Sequence, residues 1–91
     1  MENKEPFIKR ADEHIFLANE QLADVEKTGE ISASFLFGAA RFNAWMAASE
    51  FESAEAMAEE KSKIVDYFVK EYKLMLEQHI DDHIENFNFS N

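Results

Sequence analysis

Residues 33–51, ASFLFGAARFNAWMAASEF, carry apolar side chains around the full circumference of a helix. At 100° per residue, Phe35, Phe42 and Met46 share one side, Leu36, Ala40, Ala47 and Phe51 a second, and Phe37 and Ala44 a third. A helix with no polar face has to be central, covered on several sides at once. Gly38, Ala39 and Ala40 are small enough to let a second helix approach closely. This one segment therefore demands neighbours, and the rest of the chain has to supply them.

The neighbours are helical too. The chain of 91 residues has two Gly, one Pro and no Cys, against nine Phe, one Trp and two Tyr. Few turn formers and few β-branched residues leave little material for strands. Helix 1 is expected over about residues 6–28, with Pro6 suiting its first turn and Gly29 its C′ position. Phe7, Ile8, Ala11, Ile15, Ala18, Leu22 and Val25 fall on one face, and Phe16 points away from it. Helix 2 is expected over about 33–51, with Ser32 as N-cap and Ile31 stapled onto Leu36. Helix 3 is expected after Ser53, over about 54–87, because no breaker interrupts it. Such a helix is about 50 Å long and overhangs two helices of about 30 Å. The expectation is a single all-α domain over residues 1–91, a three-helix bundle with a long third helix overhanging the first two. The rival geometry breaks helix 3 near Gln78 and folds its end back.

Charge narrows the partners. The net charge is −10, with −4 across residues 1–30, −1 across 31–52 and −5 across 53–91. So acidic a surface repels nucleic acid and anionic lipid, and neither is an expected partner. An acidic decoy that captures a basic protein is a further reading of the same charge. No membrane span is expected either. The most apolar stretch, residues 31–49, has Arg41 at its centre, at a cost of about 2.5–3.5 kcal/mol in a bilayer. The N-terminal MENKEPFIKR lacks the apolar run of a signal peptide. Without cysteine there are no disulfides or thiolate sites, which fits a cytoplasmic setting.

Candidates for chemistry are few. His79 and His83 in HIDDHIENFNF, residues 79–89, stand four apart and so share a helix face, the spacing of a metal-ligand pair. The Glu-x-x-His of di-iron bundles is absent, since Ala11, Leu76 and Ile80 stand three residues before His14, His79 and His83. Ile80 also stands where His-Glu-x-x-His places its general base. The blander reading packs both rings at the rim of an apolar surface, where their titration can tune a contact near Glu77, Asp81, Asp82 and Glu85. Arg41, the only base between residues 31 and 52, is expected in a buried ion pair. Asn43 is expected as a satisfied buried amide. Ser32, Ser49 and Ser53 read as caps and helix-end residues, without a His or Asp at an informative spacing. No Gly-rich phosphate loop exists, and neither an enzyme activity nor a cofactor is expected.

The pieces AARFNAWMAASEFESAE (39–55) and YFVKEYKLMLEQHIDDHIENF (67–87) resemble a small family of bacterial all-helical proteins, a domain of unknown function, with the likeness running from about Phe7 to Phe87. That resemblance implies a short, cytoplasmic, all-helical protein and brings no reaction, cofactor or site. The functional expectation is a non-enzymatic interaction or structural protein. Its surface comprises Phe16, Leu76, Ile80, His83, Ile84, Phe87 and Phe89, and a second copy of the chain is the simplest cover. An unidentified protein is the other partner this surface admits. The alternative is a metal- or small-ligand-binding bundle using His79 and His83 with a nearby carboxylate.

Overall fold

A computed structural model of the chain describes residues 5–23 and 28–89. Every regular element among them is an α-helix, in the order α1 (Glu5–Leu22), α2 (Thr28–Ala48), α3 (Ala54–Glu59) and α4 (Lys61–Asn86). The chain divides into two units, Met1–Met46 and Ala47–Asn91. The sequence reading expects one domain and three helices.

In the first unit, α1 opens with Glu5 and Pro6, an acid at the positive end of the dipole and an imino acid where no N–H is missed. It stops at Leu22, and the Ala23 N–H turns back onto the Glu20 carbonyl at 3.3 Å. The expected end near residue 28 and the placing of Val25 on the apolar face fall partly on residues 24–27, outside the described residues. Gly29 is not a C′ residue, because it lies in the first turn of α2. With α2 starting at Thr28, Ser32 lies inside the helix and caps nothing, and Ile31 cannot serve as the staple before it. The hydroxyl that bonds locally is that of Ser34, donating to the Ile31 carbonyl at 3.1 Å. α2 runs 21 residues, about 31 Å, and closes through Glu50 N–H to Ala47 and Phe51 N–H to Ala48, both 3.1 Å.

The second unit begins as the sequence predicts. Ser53, in extended backbone, accepts the Ala56 N–H on its hydroxyl at 3.0 Å and caps α3. Then comes a correction. The long third helix is broken at Glu60 (φ −99°, ψ 4°), a residue that is neither Gly nor Pro. The interruption is a single residue, since the Ile64 N–H already bonds the Glu60 carbonyl at 3.0 Å. α3 and α4 follow one another across this one residue as successive pieces of a helical run. Phe51, Ala56, Met57, Glu60, Ile64 and Phe68 are half-buried on either side of this junction. No breaker residue announces the break.

Beyond Glu60, α4 is continuous for 26 residues, straight through Gln78, where the rival geometry placed its break. It measures about 39 Å rather than 50 Å, against about 27 Å for the 18 residues of α1. Phe87 leaves the helix in extended backbone while its N–H still reaches the His83 carbonyl at 2.9 Å. No described residue of either unit is buried.

Candidate interaction surface

The surface on α4 is built from a repeat of threes and fours. Val65, Val69, Tyr72, Leu76, Ile80, His83 and Phe87 recur at helical spacing and therefore lie on one side. All are exposed, from 42% at Leu76 to 60% at Val69. The outlying Ile84 and Phe89 are more exposed still, at 67% and 72%. At the C-terminal end of the row the His83 ring meets Phe87 edge-on, with centroids 5.5 Å apart, and Phe87 meets Phe89 at 5.1 Å. An isolated exposed Leu or Phe needs no explanation, but a continuous apolar row along a helix does.

The flanks of this row are charged in an ordered way. Lys61, Lys63, Lys70 and Lys73 lie in the first half of α4, against Asp66 and Glu71. Glu77, Asp81, Asp82 and Glu85 lie in the second half, with no Lys or Arg. Lys73 and Glu77 pair across the boundary at 2.6 Å. Asn86 donates to Asp82 at 2.9 Å, and Lys63 lies 3.6 Å from Glu60.

The first unit has its own unmet surface. Phe7, Ile8, Ile15 and Leu22 on the apolar side of α1 are exposed, and so is Phe16 opposite them, at 63%. On α2, Phe35, Leu36, Phe37, Phe42, Trp45 and Met46 are exposed on all sides of the helix, with Phe42 and Trp45 in edge-to-face contact at 5.9 Å. Arg41, expected in a buried ion pair, is exposed, and neither ion pair found among the described residues involves it. The reason is the same openness: α2 is not enclosed, so its guanidinium stays in water and needs no carboxylate. Asn43 is half-buried rather than buried.

Thus each expected interface residue lies exposed: Phe16 on α1, Leu76, Ile80, His83 and Ile84 on α4, and Phe87 and Phe89 just after it. The sequence reading places Val69 in a row with Leu76, Ile80 and Phe87, and Tyr72 in the row beside it, but leaves both, and Val65, out of the interface because it takes the first half of the helix to be covered. Their signal was present as the same 3–4 repeat running back from Leu76. His79 and His83 stand one turn apart on α4, and among the described residues no group of three or more His, Asp or Glu is drawn together to hold a metal ion. No described helix is long and apolar enough to cross a membrane.

Together these features define a small, acidic, all-helical protein whose helices present apolar faces at the surface. The family model described as "Protein of unknown function (DUF3144)" matches residues 7–84, and the chain belongs to this family. The family expected from residues 39–55 and 67–87 is therefore of the kind found. The chain is also similar to a solved structure, the NMR structure of the protein NB7890A from Shewanella sp. The two are 45% identical, with 93% of this chain and 90% of that one covered and a TM-score of 0.80. No curated protein matches the chain.

Proposed function

We propose that this is a non-enzymatic interaction or structural protein, working in the cytoplasm as a homodimer whose copies complete each other's helical bundle. The observation that supports it most is the apolar row on α4. Val65, Val69, Tyr72, Leu76, Ile80 and Phe87 recur at helical spacing and every one is exposed. Exposed rows of this kind mark interfaces, and obligate dimers bury them as a core shared between chains. In this arrangement α4, the longest helix, extends beyond α1 and α2, and its distal half packs on the second copy. The absence of any nucleophile, base or phosphate-binding loop at informative spacing in the sequence supports the non-enzymatic part.

Light scattering on the full chain tests the reading. The expected result is a dimer that Ile80→Asp and Phe87→Asp dissociate or unfold, since each buries an unpaired charge in the interface. A monomer, with both variants folded and unchanged, overturns it. The competing reading, metal or small-ligand binding, draws on the exposed His79 and His83 pair and stands second because no third ligand joins them. Zinc and iron titrations by calorimetry separate the two: binding no tighter than that of a His79→Ala, His83→Ala double variant ends the metal reading.

A further inference from the structure

The division of charge along α4 bears on how two copies meet. An apolar row by itself is indifferent to direction. The flanking charges are not, because the first half of α4 carries an excess of Lys and the second half carries only acids. A parallel pair of α4 helices sets Asp81, Asp82 and Glu85 against their own copies and Lys70 against Lys70, which is repulsive at both ends. An antiparallel pair sets the basic half of each copy against the acidic half of the other. It also answers a local conflict, since the acids of the second half lie at the negative end of their own helix dipole, with no Lys or Arg beside them.

We propose that α4 pairs antiparallel with α4 of a second copy of this chain, centred near Leu76, with Lys70 and Lys73 of each copy opposite Asp81 and Glu77 of the other. This rests on the homodimer reading above and adds its direction and register. The register follows from matching like with like along the row. With Leu76 on the two-fold axis, Tyr72 faces Ile80, Val65 faces Phe87, and Phe68 comes level with Ile84. A two-fold axis across the pair brings the same flank of each helix together. Lys70, Lys73, Glu77 and Asp81 all lie on one flank of the apolar row, so they meet their complements there. The Lys73–Glu77 pair already formed at 2.6 Å within each helix then meets its twin at the centre, as a cluster of alternating charge.

The chain has no cysteine, so single-cysteine variants read the geometry directly. Leu76→Cys is expected to cross-link to itself on oxidation. Val65→Cys and Phe87→Cys, whose own copies lie about 33 Å apart in this pairing, are expected not to cross-link alone but to link when mixed. Self-linking of Val65→Cys or Phe87→Cys overturns the antiparallel direction, as does a dimer in which Leu76→Cys and the mixture both stay unlinked. Wild-type chain that runs as a monomer in light scattering instead overturns the homodimer reading itself, so the two failures are distinguishable. As a second measurement, Lys70→Glu with Lys73→Glu is expected to weaken the dimer on the order of tenfold. Adding Glu77→Lys and Asp81→Lys is expected to restore it. A fourfold variant no tighter than the double one overturns the charge pairing.

Discussion

α2 and α4 both leave apolar side chains in water, yet they specify different things. α2 is apolar on every side and has Arg41 as its only basic residue, with no ion pair among the described residues. Such a helix needs cover without specifying the direction from which cover comes. α4 carries one apolar row between charged flanks, and the sign of those flanks changes midway along its 26 residues. Hydrophobic area supplies most of the drive to associate, and charge placement supplies orientation. In the proposed dimer, α2 therefore accounts for the need of cover and α4 for the direction of pairing.

The comparison breaks most visibly at Ile80. Ile80→Asp is expected to cost several kcal/mol of dimer stability and to abolish the concentration dependence of Tm that coupled folding and association produce. A thermal midpoint that is independent of wild-type concentration removes the partner from the account of α4. On α2, Phe42→Ala is expected to cost about 3 kcal/mol in chemical denaturation, because a helix that is central in the dimer loses buried area wherever it is trimmed. A loss within about 0.5 kcal/mol, the range of ordinary surface substitutions, means that this side of α2 stays in water even in the assembly.

Much of this architecture is legible in the residues. Helix type, the all-round apolar character of α2, the Ser53 cap and the exposed row beyond Leu76 all follow from periodicity and from one short hydroxyl in the right place. Glu60 is different. Glu is a good helix former, and nothing around it in the sequence marks a stop. Ser32 misleads for the opposite reason: a good capping residue beside an apolar run is only a candidate, and here the helix begins four residues earlier, at Thr28. Arg41 shows a third limit. The argument that a guanidinium on an apolar helix must be paired assumes an enclosed helix, and enclosure is a property of the packing.

Two small effects sharpen the contrast between the units. Ser53→Ala removes the one side-chain cap on α3 and is expected to cost about 1 kcal/mol, read as a lower urea midpoint at unchanged slope. An unchanged midpoint means that the cap adds nothing to the stability of the fold. Gly38→Ala acts on α2 and can move stability either way. A Cβ at Gly38 meets nothing within 4 Å in the single chain, so Ala should stabilise the helix by about 0.8–1 kcal/mol through propensity alone. That gain is the expected result if α4 carries the close contact between copies and α2 is covered more loosely. A loss of stability would instead place a second helix directly against Gly38, Ala39 and Ala40, and would make α2 as specific in its contacts as α4.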